Sequence, residues 1–195
     1  FDANPLIVSN IIQENTAPFG RGGGIEIELA TAEIIGNTFL RNKAFGKTSS
    51  SGGAIRVLQA TSNVLISNNE MKFNTSTFTG GAINAISSDV ELTDNVIVGN
   101  KSDQGGGIHL ETSSGAFTWI VRNNEIRDNI GAFGAGGLNV FAENGQVTLI
   151  VEGNKIIANQ ATSIVCTTGA EHGCGQGGGI RASQGTGTET YTGNL

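Results

Sequence analysis

The chain is poor in most of the residues from which catalytic and binding machinery is built. Among 195 residues there are two cysteines, two prolines, two histidines, one methionine, one tryptophan and one tyrosine, and only 14% of residues are charged. No apolar run approaches the roughly 18 residues of a membrane-spanning helix. No stretch keeps a helical apolar period long enough to compete with the strand pattern described below. Lys plus Arg number 11 against 17 Asp plus Glu, a net charge of −6. That balance argues against nucleic acid as a partner, because such binding rests on basic patches. It also falls short of the acidity of a disordered tail. No glycine-rich stretch is followed by Lys-Ser or Lys-Thr at phosphate-loop spacing, and Gly20 to Gly24 opens a strand pattern instead of a helix. The calcium-binding Gly-Gly-x-Gly-x-Asp repeat is absent. The chain begins at Phe1 without an initiator methionine or a signal peptide, so a processed chain or a fragment of a longer one is expected.

What the chain has in quantity is glycine, thirty residues of it, and asparagine at fixed intervals. Aligning on glycine pairs brings Ile25, Ile55, Ile83, Ile108, Leu138 and Ile180 into register. Aligning on asparagine brings Asn10, Asn37, Asn69, Asn95, Asn124 and Asn154 into register, at spacings of 27, 32, 26, 29 and 30. A second asparagine follows five residues later each time, at Asn15, Asn42, Asn74, Asn100, Asn129 and Asn159. A period near 30 residues means stacked structural units. Within each unit apolar residues alternate, as in Ile55 and Val57, then Val64 and Ile66, then Met71. That alternation has the period of a strand. Each unit therefore offers three short strands whose apolar faces are buried only when units stack, about 4.8 Å apart. The predicted fold is all-β: a right-handed single-stranded parallel β-helix of about six coils, forming one domain over residues 1–195. The asparagines are expected to turn the corners, because Asn tolerates the left-handed conformation and bonds to backbone. Stacked coil on coil, Asn10, Asn37, Asn69, Asn95, Asn124 and Asn154 are expected to form a hydrogen-bonded ladder.

The motifs resemble a known family. Gly52-Gly53-Ala54-Ile55 and Gly80-Gly81-Ala82-Ile83 are similar to the Gly-Gly-Ala-aliphatic signature of polymorphic outer-membrane-protein repeats. Phe39-Leu40-Arg41-Asn42 is similar to their Phe-x-x-Asn motif. More broadly, the chain resembles secreted β-helix proteins of the pectate-lyase-like class. The resemblance implies the fold and export. It leaves function open among polysaccharide lyases and hydrolases, adhesins, passenger domains and phage tailspikes.

Departures from the repeat mark the candidate sites. The longest insertion spans 160–176 and holds Cys166 and Cys174. In a secreted protein these are expected to close a disulfide. Cys166, His172 and Cys174 lack a fourth ligand and the usual zinc spacing, so no metal is expected. After the glycine pairs, the outward positions are Glu26, Arg56, Asn84, His109, Asn139 and Arg181. Two places on they are Glu28, Leu58, Ile86, Glu111, Phe141 and Ser183. Arg56, His109 and Glu111 are the nearest candidates for a base and its acidic partner in a polysaccharide lyase. They do not form a convergent cluster, and an outward lone histidine is expected to be solvated. Leu58, Ile86 and Phe141 are candidate contacts for a partner. The leading expectation is a non-catalytic extracellular or cell-surface module, structural and adhesive, with no cofactor. Its partners would be other protein subunits or surface glycans, with end-to-end self-association, and no membrane span. The alternative is a carbohydrate-active β-helix, a lyase or epimerase, or a glycan-binding module.

Overall fold

The computed structural model describes residues 4–46, 50–162, 177–183 and 186–193. The chain winds through four parallel sheets, one of seven strands and three of six. In chain order within a coil we name them A to D. Sheet A stacks Leu6–Val8, Glu33–Ile35, Val64–Ser67, Val90–Thr93, Ala116–Arg122, Gln146–Glu152 and Thr186–Thr192. Sheet B runs from Ile11–Gln13 through Thr38–Leu40, Glu70–Lys72, Val96–Val98 and Glu125–Arg127 to Lys155–Ile157. Sheet D runs from Ile25–Glu28 through Ile55–Leu58, Ile83–Ile86, Ile108–Thr112 and Leu138–Ala142 to Ile180–Ser183. Each strand pairs with the equivalent strand of the next coil, so Ile34 lies beside Ile66 and Ile55 beside Ile83. The aligned aliphatics point inward as expected. Ile34, Ile66, Leu92, Val121 and Val151 are fully buried in sheet A, as are Phe39, Met71, Ile97 and Ile126 in sheet B.

Each coil has four strands where three were expected. The additional sheet C is made of Thr16–Ala17, Lys43–Ala44, Thr75–Ser76, Lys101–Gln104, Ile130–Phe133 and Gln160–Ala161. Its inward row is Ala17, Ala44, Ser76, Ser102, Gly131 and Ala161, which carries no aliphatic alternation to read. The row is small because the backbone of the glycine pairs packs directly against it. A Cβ on Gly53 would stand 2.1 Å from the Gly81 carbonyl oxygen and 2.7 Å from the Thr75 nitrogen. This corner of the coil is closed backbone to backbone, and only glycine fits. Gln160–Ala161 is still strand, so the long insertion leaves the repeat only after Thr162.

Both asparagine columns form ladders. In the first, each Nδ2 donates to the Oδ1 of the next coil's asparagine at 3.0–3.1 Å, from Asn10 through Asn37, Asn69, Asn95 and Asn124 to Asn154. The second column repeats this at 2.9–3.1 Å from Asn15 to Asn159. Each Oδ1 also accepts the backbone N–H of the preceding coil's asparagine, as from Asn69 to Asn95 at 3.0 Å. From the second coil on, each Nδ2 also donates to a carbonyl in the preceding coil, as from Asn95 to Ile66 at 2.8 Å. The corner chemistry differs from expectation in one respect. The left-handed residue is the one before each asparagine: Ser9, Gly36, Asn68, Asp94, Asn123 and Gly153 in the first column, all with φ between 53° and 65°. The asparagine follows the turn and staples it, so its value lies in its amide and not in its tolerance of positive φ.

Two mutational comparisons test this account. Asn95→Ala strands the backbone N–H of Asn69, removes one acceptor of its side chain and takes a donor from the Ile66 carbonyl, and is expected to cost about 2–4 kcal/mol. Asn10→Ala, at the exposed end of the same column, is expected to cost about 1 kcal/mol or less; equal urea-denaturation losses would contradict the ladder account. Gly53→Ala meets backbone and is expected to cost about 3 kcal/mol or more. Gly36→Ala, whose Cβ would find only Ser9 Oγ at 3.8 Å, is expected to cost only about 1–2 kcal/mol for its positive φ.

Candidate functional site

The outer face of sheet D carries two rows of side chains, and the strand register fixes both. Glu26, Arg56, Asn84, His109, Asn139 and Arg181 form the first. Glu28, Leu58, Ile86, Glu111, Phe141 and Ser183 form the second. The first row was expected to face solvent, yet Asn84, His109 and Asn139 are fully buried and Arg56 is 7% exposed. The connection from sheet C to sheet D folds over it. Ser51 in one such connection bonds to Arg56, and a Cβ on Gly134 in another would stand 2.9 Å from Asn139 Oδ1. The lone-histidine expectation is therefore corrected: His109 is sealed beneath the connection, not solvated.

The row is organised by charge and by hydrogen bonds along the solenoid axis. Arg56 pairs with Glu26 of the preceding coil, and its Nε donates to Ser51 Oγ at 2.8 Å. An Arg181 guanidinium nitrogen donates to Asn139 Oδ1 at 3.3 Å, which turns the Asn139 amide nitrogen toward His109 Nδ1 at 2.8 Å. A ring nitrogen that accepts is unprotonated, so the proton sits on Nε2, which donates to Glu111 Oε2 at 3.1 Å. Burial acts most strongly on the Glu111 carboxyl and pushes it upward. The His109 hydrogen bond and the electrostatic pull of the imidazole and the Arg56 guanidinium together outweigh it, holding the carboxyl below its ordinary value of 4.5. The structure thus brings Arg56, His109 and Glu111 onto one sheet face. It also commits both histidine nitrogens and the guanidinium Nε to neighbours. A base needs a free lone pair within reach of substrate, and His109 presents none.

The apolar candidates are half-buried in the second row. Leu58 and Ile86 are neighbours on adjacent coils, while Glu111 stands between Ile86 and Phe141. Cys166, His172 and Cys174 lie outside the described residues. Trp119 is fully buried and donates its indole N–H to the Ser88 carbonyl at 2.8 Å. Among the described residues, no three of His, Cys, Asp and Glu converge as a metal site, and no helix is long and apolar enough to cross a membrane.

Sequence reasoning missed a group of aromatics at the mouth of the sheet C to sheet D connections. Phe19 is 90% exposed, Phe45 42% and Phe133 36%, with Phe78 half-buried beside them in sequence position. The signal was readable. Each follows the small inward residue of sheet C by one or two places, as in Ala17-Pro18-Phe19, Ala44-Phe45, Ser76-Thr77-Phe78 and Gly131-Ala132-Phe133.

Four parallel sheets wound coil over coil, with asparagine at two corners and glycine at a third, define a β-helical solenoid. The family described as Right handed beta helix region matches residues 6–174, and the chain belongs to that family. No curated protein and no solved structure matches the chain.

The Glu111 geometry sets an acid dependence. A carboxyl lowered on folding stabilises the native state fully above its ordinary value of 4.5, and that contribution is lost as pH falls through the lowered value. Urea midpoints measured from about pH 6 to about pH 3 should fall less steeply for Glu111→Gln than for the parent chain. Parallel curves would refute the shift.

Proposed function

We propose that the chain is a non-catalytic extracellular or cell-surface module, structural and adhesive, that holds binding loops on a rigid rod. One observation carries the reading. The groups best suited to catalysis, Arg56 and His109, are walled in and hydrogen-bonded to neighbouring side chains, while the exposed Phe19, Phe45 and Phe133 border the connections that vary in length. On a solenoid such variable connections are where ligands are met. The similarity of its repeats to those of polymorphic outer membrane proteins supports the same assignment. Protein subunits and surface glycans are the partners this role calls for, including a second copy joined end to end.

Exposed phenylalanine faces favour one specific form of this role, glycan binding without turnover. Aromatic rings stack on apolar sugar faces and contribute most where they are already rigidly held. The test is a glycan array read with the parent chain and with a Phe19→Ser, Phe45→Ser, Phe133→Ser variant. Binding is expected in the parent, with a loss of about tenfold or more in the variant and an unchanged far-ultraviolet spectrum. Equal binding by both would remove the aromatic edge from the account. Incubation with uronate polymers and calcium is expected to yield no rise in ultraviolet absorbance from unsaturated ends. A rise abolished by Arg56→Ala would replace this reading with a lyase.

A further inference from the structure

We infer that Asn84 holds a buried water molecule, at the point beneath the sheet C to sheet D connections where the polar row divides. Asn84 is fully buried, and among the described residues neither its Oδ1 nor its Nδ2 has a hydrogen-bond partner. Buried amides are nearly always satisfied, by protein or by ordered water, because leaving one unmet forfeits its full hydration. The ladder asparagines show how completely this fold meets that requirement elsewhere. Asn95 alone makes contacts with Asn69, Asn124 and Ile66.

The reason Asn84 lacks a protein partner lies on either side of it. The register places Arg56 one coil before and His109 one coil after. Arg56 turns back toward Glu26 and Ser51. His109 turns onward to Asn139 and sideways to Glu111. The hydrogen bonds of the row therefore run away from Asn84 in both directions, and the amide stands where they divide.

The chemistry of the position selects the occupant. The amide offers an acceptor and a donor together, so its partner must both donate and accept. Water does so, and a polar site with two or more partners is where buried waters are found. A cation would sit beside the Arg56 guanidinium. An anion would sit beside the Glu26 and Glu111 carboxylates. Neither gains, because Arg56 is already paired with Glu26 and Glu111 already accepts from His109. The sealed amide, each polar atom shielded from solvent, leaves no passage for a larger molecule.

Two measurements test this. In a high-resolution crystal structure of the chain, a solvent peak is expected within hydrogen-bond distance of both Asn84 Oδ1 and Nδ2. An amide turned onto a protein partner, or a bromide peak at the position after soaking, overturns the inference. In solution, the Asn84 side-chain amide protons are expected to show rotating-frame cross-peaks to a long-lived water, and their absence counts equally against it. The Asn84→Leu variant supplies a third reading. If the amide is hydrated, replacing it leaves the urea midpoint unchanged or lower; a raised midpoint would mean the amide was unsatisfied and no water was there.

Discussion

Coil-to-coil satisfaction of buried amides is the constraint on which the structure depends. A solenoid of short strands must turn its backbone several times per coil, and each turn brings N–H and C=O groups toward the interior. Hydrocarbon cannot satisfy them. At two corners an asparagine does so, accepting from the coil before and donating to the coil after. The device works only if every coil carries the same residue, since each acceptor serves its neighbour's donor. A carboxylate in the column would offer no protons and would repel its like on the adjacent rung. That is why the two asparagines stay five residues apart while the intervals between coils range from 26 to 32. The variation is absorbed elsewhere, in the connections that enter and leave sheet D.

The third corner obeys a different rule. There the backbone of the glycine pair rests on sheet C, with a small side chain beneath it, and the two close without a polar staple. The coil is therefore wide at sheets A and B, where isoleucine, leucine and a tryptophan fill it, and pinched where sheet C meets sheet D. The pinch explains why the connection there lies against the outer face of sheet D. A chain that has just passed a closed corner, with glycine at positions such as Gly52 at φ 65°, folds back over the strand that follows. Arg56, Asn84 and His109 are buried as a result, not through any apolar character of their own.

This also shows how far the sequence could be read. The aliphatic rows, the coil count, the parallel winding and the first asparagine ladder were all legible, because period and residue type point to the same packing. Sheet C was not legible, because Ala44, Ser76 and Gly131 bury too little to leave a pattern. The burial of the first sheet D row was not legible either. Alternation along a strand says which side of the sheet a residue occupies; it does not say whether a later loop covers that side. His109 therefore read as a solvated side chain and proved to be the centre of a network with Asn139 and Glu111. The phenylalanines escaped for the converse reason. Phe19, Phe45 and Phe78 lie outside the strands and Phe133 ends one, where no period operates, and only alignment on the small residue of sheet C reveals them.

The division between the two faces of the connections bears on function. Beneath them, polar groups are held by neighbours in fixed directions, with a guanidinium, an imidazole and two carboxylates matched in pairs. Catalysis on a sugar needs the opposite: a carboxylate or base left partly unmet, so that the substrate completes it. Above them, the exposed rings of Phe19, Phe45 and Phe133 are left unmet by the protein itself. Unmatched surface on a rigid scaffold is what a binding partner recognises. The same covering that removes Arg56 and His109 from reach thus leaves the outer edge available, which is what supports the presenting role proposed above.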